Sequence, residues 1–111
     1  MRLRDKIAIV TGGGSGFGAG IVKKFSEEGA RVIVADINLG NAMKVAKSAG
    51  GISIEVDVSS SISFKNMVNE TLEKFGKIEI MVNNAGITHL PNSMEHVTEE
   101  EFDKIFSEQE M

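Results

Sequence analysis

The chain has 111 residues, a formal net charge of −4, 41% hydrophobic residues and 25% charged residues, which is ordinary for one globular domain. It contains no cysteine, tyrosine or tryptophan, so a disulfide framework, a thiolate metal site and a mechanism with a tyrosine of this chain as acid or base are excluded. No stretch is apolar over the roughly 18 residues that a membrane-spanning helix needs, and the charged start lacks a signal peptide's apolar core. We therefore expect one soluble, cytoplasmic domain.

The charge is uneven along the chain, because acidic residues dominate after residue 94 whereas the preceding part is slightly basic. No basic stripe with interleaved aromatic residues is present, which argues against a nucleic-acid partner. Backbone amides could still bind the phosphates of a nucleotide. The acidic end is typical of a solvated helix face.

The first half of the chain alternates between short apolar runs and segments of helical spacing. Residues 7–10 predict a buried strand that ends at Thr11, and a glycine-rich turn over residues 12–18 follows. Apolar residues then recur at helical spacing up to Gly29, which predicts a first helix. Residues 31–35 predict a second strand ending at Asp36, and residues 39–49 a second helix closed by Gly50.

The second half continues this alternation. Residues 52–56 alternate apolar with polar side chains, which predicts a strand at the edge of the sheet. Asp57 and the serines at 59–61 are candidate caps for a third helix, whose predicted apolar face is Phe64, Met67, Val68, Leu72 and Phe75. Residues 78–82 predict a fourth strand, followed by a loop with Pro91 and a helix starting at the capping sequence from Thr98.

Repeated strand-helix units predict an α/β fold with a parallel sheet and helices on both faces. We expect part of a doubly wound, Rossmann-like sheet with strand order 3-2-1-4. In that arrangement the fourth strand is an exposed edge, which favours association between copies of the chain.

The glycine-rich turn lies between a strand and a helix, where backbone amides and the helix dipole favour a pyrophosphate. The stretch from Gly14 to Ala19 fits the general G-x-G-x-x-A spacing of dinucleotide-binding turns. Glycines at such a turn can equally serve tight packing alone, so the pattern by itself leaves both interpretations open.

Acidic and amide side chains follow the predicted strands. Asp36 lies 18 residues after Gly18, close to the spacing at which a carboxylate binds the ribose hydroxyls of a dinucleotide. Such a carboxylate repels a 2′-phosphate, which indicates NAD rather than NADP; the alternative role for Asp36 is a helix N-cap. Asp57 could bind a base amine, assisted by Val58, or cap the third helix. Asn83 and Asn84 could bridge strand ends at the edge where open α/β sheets bind ligands.

The two histidines, His89 and His96, share a loop without nearby carboxylates at metal-ligand spacing. A metal site is therefore not expected, and both are interpreted as surface residues.

These motifs together resemble the short-chain dehydrogenase/reductase family. The sequence from Thr11 to Gly18 resembles the family's T-G-x-x-x-G-x-G turn, and residues 83–86 match its N-N-A-G. Asp36 and the pair Asp57-Val58 lie in register with two further family signatures. The resemblance extends over residues 6 to about 106 and implies hydride transfer between a nicotinamide cofactor and an alcohol or carbonyl. The chain is similar to ketoacyl-carrier-protein reductase-like and sugar or polyol dehydrogenase-like members.

The resemblance assigns each motif to one part of the cofactor. Asp36 and Ile37 would contact the adenosine ribose, and Asp57 and Val58 would hold adenine. Asn83 would mainly stabilise the sheet. The pyrophosphate and nicotinamide groups are assigned to Gly12, Ser15, Gly16, Phe17 and Gly18, and to Asn84, Ala85 and Gly86, respectively.

The family's catalytic serine and Tyr-x-x-x-Lys pair have no counterpart in these 111 residues. We therefore expect a truncated dinucleotide-binding domain over residues 1–111, with a divergent acidic tail at about 107–111, that is inactive by itself. One alternative is a non-catalytic isoform or fragment that binds nucleotide or a partner chain. An S-adenosylmethionine methyltransferase also uses a glycine-rich first turn, but the N-N-A-G sequence counts against it.

Overall fold

The computed structural model describes residues 2–84 together with the backbone of residues 95–97. Five parallel strands form one sheet with the order β3-β2-β1-β4-β5. The elements in chain order are β1 (Ile7–Thr11), α1 (Gly16–Glu27), β2 (Arg31–Asp36), α2 (Leu39–Ala49), β3 (Ile52–Glu55), α3 (Ser61–Phe75), β4 (Ile80–Asn83) and β5 (Glu95–Val97).

Helices cover both faces of the sheet. Because the side chains of a strand alternate between its two faces, β1, β2 and β4 each contribute to two separate cores. Ala8 and Val10 of β1 belong to a core shared with α1 and α2. Ile7 and Ile9 belong to a second core, to which α3 contributes Phe64. All five residues of β1 are buried, as expected for the central strand of a sheet covered on both sides. The α/β class, the Rossmann-like sheet and the order 3-2-1-4 are thus confirmed.

The predicted ends of α2 and α3 agree with the structure, because capping residues are present there. α2 occupies residues 39–49 as predicted, since the Asn38 side chain accepts a hydrogen bond from the Asn41 amide and Gly50 adopts a left-handed conformation with φ 72°. α3 likewise begins after Ser60 and ends at Phe75, where Gly76 with φ 77° forms the C-cap.

Two local predictions are wrong. The fourth strand begins at Ile80 rather than at residue 78. Leu72 is 41% exposed, whereas Thr71 is fully buried in its place. The hydroxyl of Thr71 donates to the Met67 carbonyl oxygen, so this polar side chain can occupy the apolar face without an unpaired donor.

The edge positions are predicted correctly on one side of the sheet only. β3 is the edge strand next to β2, and Ile52 and Ile54 are half-buried there. The prediction that β4 is an exposed edge is wrong, because β5 pairs with it in parallel, with Val82 opposite Val97. An association of copies through the backbone of β4 therefore loses its structural basis. The predicted Pro91 loop, the helix from Thr98, His89 and the tail at 107–111 lie outside the described residues.

Candidate functional site

The turn between β1 and α1 requires glycine for two physical reasons. Gly12 and Gly16 have φ values of 65° and 58°, a left-handed backbone that other residues adopt at a cost. A Cβ at Gly18 would overlap with the Gly12 carbonyl oxygen and would lie 2.8 Å from Nδ2 of Asn84. The turn and the first residues of α1 are thus in direct backbone contact.

The N-terminus of α1 lacks a side-chain cap. Ser15 occupies the N-cap position without a side-chain capping hydrogen bond, and the first turn has no acidic residue. Ser15, Gly16 and Phe17 are exposed. Since the first amides of a helix carry partial positive charge and need acceptors, this end suits an anionic group.

Asp36 connects the glycine-rich turn to the start of α2. Its Oδ2 accepts a hydrogen bond of 3.0 Å from the Gly14 amide, and its Oδ1 accepts one of 3.0 Å from the Asn38 amide. Asn38, not Asp36, is the N-cap of α2. The alternative that Asp36 serves as that cap is therefore wrong. The two amides fix the carboxylate beside the turn, and Ile37 next to it is 66% exposed.

Asp57 lies after β3 in a similar position. Its Oδ1 accepts hydrogen bonds from the amide of Ser59 at 3.0 Å and from the hydroxyl of Ser59 at 2.6 Å. The Ser59 hydroxyl, followed by its amide, lowers the pKa of Asp57, so this side chain is ionised at neutral pH. The N-cap of α3 is Ser60, which accepts from the Ser63 amide, and the alternative that Asp57 occupies that cap position is wrong.

The carboxyl ends of three strands enclose a cleft of about 150 Å³. Five of its six lining residues are predicted site residues, and Val56 is the addition. The lining consists of Gly12, Asp36, Ile37, Val56, Asp57 and Val58. A larger groove of about 480 Å³ lies between α1 and α2, but none of the predicted site residues lines it. We assign the candidate site to the smaller cleft because two carboxylates, Asp36 and Asp57, line it together with Gly12 of the glycine-rich turn.

The side-chain amides of Asn83, the last residue of β4, and of Asn84, which follows it, contact the end of β1 and the start of the turn. Nδ2 of Asn84 donates to the Gly12 carbonyl oxygen at 3.3 Å. The buried Thr11 hydroxyl lies 3.2 Å from both the Val82 carbonyl oxygen and Oδ1 of Asn83. Asn83 thus contacts β1, in keeping with its predicted role in the sheet. Ala85 and Gly86, assigned to the nicotinamide side, lie outside the described residues.

Sequence reasoning missed Thr11 and Gly14 as parts of the site. The sequence did contain a signal for Thr11, because a polar residue at the end of the apolar run 7–10 indicates a side chain that makes hydrogen bonds. The sequence identifies Gly14 only as the first glycine of the G-x-G-x-x-A spacing, because its contact with Asp36 exists only in the folded chain.

Within the described residues, no helix has the length and apolar character needed to cross a membrane. In the same part of the chain, no three His, Asp or Glu side chains are grouped closely enough to hold a metal ion.

Comparison with known proteins identifies the family. The family model described as short chain dehydrogenase matches residues 6–108. The chain therefore belongs to the short-chain dehydrogenase family.

Relatives and solved structures agree with this assignment. The chain is 41% identical to 4-formylbenzenesulfonate dehydrogenase of Comamonas testosteroni, covering 96% of this chain and 44% of that protein. It is 36% identical to galactitol 2-dehydrogenase of Agrobacterium fabrum, covering 96% and 42%, respectively. The 3-ketoacyl-(acyl-carrier-protein) reductase from Brucella melitensis, solved in complex with NADH, matches with a TM-score of 0.73 and 42% identity over 93% of this chain and 43% of that chain. The chain thus spans less than half the length of these proteins.

Proposed function

We propose that this chain provides the NAD(H)-binding part of an oxidoreductase that transfers hydride between nicotinamide and an alcohol or carbonyl compound. The observation that carries the proposal is the cleft at the carboxyl edge of the sheet, where Asp36 lies beside the glycine-rich turn. Two relatives named as dehydrogenases and a reductase solved with NADH support it.

The described residues include groups whose chemistry suits the pyrophosphate and the adenosine part of a dinucleotide. The uncapped N-terminus of α1 suits the pyrophosphate, and Gly18 lets the backbone approach where a Cβ would collide. In our assignment, Gly12, Ser15, Gly16, Phe17 and Gly18 surround that group.

The carboxylates suit the adenosine part. Asp36 and Ile37 would hold the ribose, and Asp57 with Val58 would hold adenine, since all four line the cleft. Asn84 would border the nicotinamide together with Ala85 and Gly86.

A carboxylate at Asp36 favours NAD over NADP. An ionised carboxylate accepts hydrogen bonds at about four lone-pair positions, and the amides of Gly14 and Asn38 occupy one on each oxygen. Both oxygens thus keep accepting capacity for ribose hydroxyls. A 2′-phosphate in the same place offers acceptors and negative charge, which a carboxylate repels.

When bound, the nicotinamide supplies the hydride donor or acceptor. The described residues bind and orient the dinucleotide in this proposal. The 111 residues include no tyrosine, so the acid-base group that the family takes from a tyrosine would belong to residues outside this sequence.

Calorimetric titration of the 111-residue chain with NADH and with NADPH tests the proposal. We expect saturable binding with a preference for NADH of about tenfold or more, since the loss of one hydrogen bond to a charged group and a new repulsion together amount to such a factor. Asp36→Asn keeps the side chain's shape, removes its charge and should reduce the preference to about twofold or less.

Glu55→Gln is the matched control. Glu55 is the neighbour of Asp36 on β3, is exposed, and does not line the cleft. This variant should keep the NADH preference, and far-UV circular dichroism should show folded protein in each case. Absence of binding by a folded wild-type chain would contradict the proposed function, whereas equal affinity for the two cofactors would contradict only the preference for NAD.

A further inference from the structure

Gly14 is buried between the Asp36 carboxylate and the first turn of α2. A Cβ built on Gly14 would lie 2.8 Å from Oδ2 of Asp36, 2.8 Å from Cβ of Asn41 and 3.0 Å from the Ala42 amide nitrogen. The Gly14 amide donates to the same Oδ2 atom at 3.0 Å. Gly14 therefore donates a hydrogen bond to Asp36, and its missing side chain leaves room for the Asp36 carboxylate.

These neighbours differ in how far they can move. The Asn41 Cβ and the Ala42 amide are fixed to the backbone of α2, whose first turn is capped by Asn38. The Asp36 carboxylate can rotate about its side-chain bonds and would yield first to an added methyl group. If α2 moved instead, the Asn38 amide would draw Oδ1 of Asp36 with it. Either response displaces the carboxylate.

We propose that Gly14 is a positioning residue that sets the cofactor preference of the cleft by holding the Asp36 carboxylate in place. The inference rests on the proposed function and extends it to a residue that need not touch the ribose. The proposed role of Gly14 differs from that of Gly18, whose missing side chain permits contact between the turn and α1.

The test compares Gly14→Ala with Gly20→Ala in the full chain. A Cβ at Gly20 meets nothing within 4 Å, so that variant is the matched control. Calorimetry with NADH and NADPH should show that Gly14→Ala lowers the NADH preference by about tenfold, the effect of misplacing one hydrogen-bonding charged group. Gly20→Ala should leave the preference unchanged. In an Asp36→Asn background, Gly14→Ala should change the preference by less than about twofold, because the two residues act as one unit.

An equal loss of affinity for both cofactors in Gly14→Ala would overturn the proposal, because a merely structural turn residue predicts that result. This outcome leaves the wild-type preference intact and so differs from failure of the proposed function, in which the wild type binds neither cofactor. A wild type that binds both equally well would overturn this inference together with the preference for NAD.

A ligand-free measurement covers the case in which Gly14→Ala does not fold. In ¹H–¹⁵N correlation spectra, Asp36→Asn should shift the Gly14 and Asn38 amide resonances, because both amides lose a charged acceptor. The Gly20 amide should not move. Unchanged Gly14 and Asn38 resonances would overturn the proposal, since the two amides would then not hold the carboxylate.

Discussion

At the scale of single residues, the absence of a side chain is as important to this site as any functional group. The turn excludes a Cβ at Gly18 because the Gly12 carbonyl oxygen occupies that space. Gly20, two residues further along α1 and on the opposite face of the helix, faces open space. The structure thus leaves no room for a side chain at position 18 but has room for one at position 20.

We predict that Gly18→Ala destabilises the chain by about 1–3 kcal/mol, the usual cost of overpacking. It should also weaken NADH binding, since the turn must move away from α1. Gly20→Ala should stabilise the chain by about 0.5–1 kcal/mol, because alanine loses less conformational freedom in a helix. Urea denaturation measures both effects, and a shift of the same sign in the two variants would contradict the close-approach argument.

At the scale of elements, α1 begins differently from α2 and α3, the other two helices in the described part of the chain. α2 and α3 have side-chain N-caps, Asn38 and Ser60, whereas Ser15 at the start of α1 makes no such bond. A cap that contributes to stability and a hydroxyl available to a ligand can therefore be distinguished by substitution.

We predict that Ser15→Ala changes the unfolding free energy by less than about 0.5 kcal/mol, because its hydroxyl makes no capping hydrogen bond. It should weaken NADH binding, because our proposal assigns this hydroxyl to the pyrophosphate. Ser60→Ala should cost about 1 kcal/mol of stability, the usual effect of removing an N-cap, and leave binding unchanged. Urea denaturation and calorimetry on the same samples check this. If Ser15→Ala lost stability while binding NADH normally, the hydroxyl would be a structural group.

The elements also show where sequence reasoning succeeded. The ends of α2 can be predicted from Asn38 and Gly50, because helix capping depends only on residues close in the sequence. Thr71 was missed because its hydroxyl is satisfied by the carbonyl of Met67, a bond that exists only once the helix has formed. β5 was missed because Glu95, His96 and Val97 show neither an apolar run nor alternation, and the strand is defined by its pairing with β4.

The candidate site likewise has features that the sequence predicts and features that depend on the folded structure. Asp36 and Asp57 were predictable because they follow strands whose ends must meet at one edge of a parallel sheet. The competing N-cap roles could not be resolved from the sequence, since Asn38 and Ser60 stand only two or three residues away and are equally good caps. The bond from Gly14 to Asp36 joins residues 22 positions apart and depends on packing.

At the scale of the whole molecule, β1 is joined to β4 by polar contacts at both of its ends. Thr11 makes these contacts at the carboxyl end. At the other end, Glu79 accepts a hydrogen bond of 3.0 Å from the Ile7 amide and forms ion pairs with Lys77 at 3.1 Å and Lys6 at 3.4 Å. The Ile7 amide first, then Lys77 and, to a smaller extent, Lys6 hold the pKa of Glu79 below its ordinary value of 4.5, whereas burial acts in the opposite direction.

We predict that this carboxylate makes stability depend on pH. Because the pKa of Glu79 is lower in the folded state, its contribution is complete above the unfolded value of about 4.5 and is lost as the pH falls through the folded value. Glu79→Gln should lower the unfolding free energy by less than about 1 kcal/mol at pH 7, as expected for ion pairs between a half-buried carboxylate and two exposed lysines at the protein surface.

Urea denaturation between pH 7 and pH 3 tests the sign. The difference between wild type and Glu79→Gln should shrink as the pH falls below about 4.5. Glu70→Gln, at an exposed position on α3, serves as the control for the loss of one negative charge. A difference that stays constant down to pH 3 would show that the charge of Glu79 contributes nothing.

The position of β1 in the middle of the sheet has a consequence for biosynthesis. A chain emerging from the ribosome can pair β1 with β2 and then β2 with β3, so the cleft residues between Gly12 and Val58 can assemble early. The contacts of Thr11 with Val82 and of Gly12 with Asn84 join residues 71 and 72 positions apart, and they must wait until β4 has been synthesised. The part of the cleft that we propose to hold adenosine can therefore form during translation, before Asn83 and Asn84 make their contacts with Thr11 and Gly12.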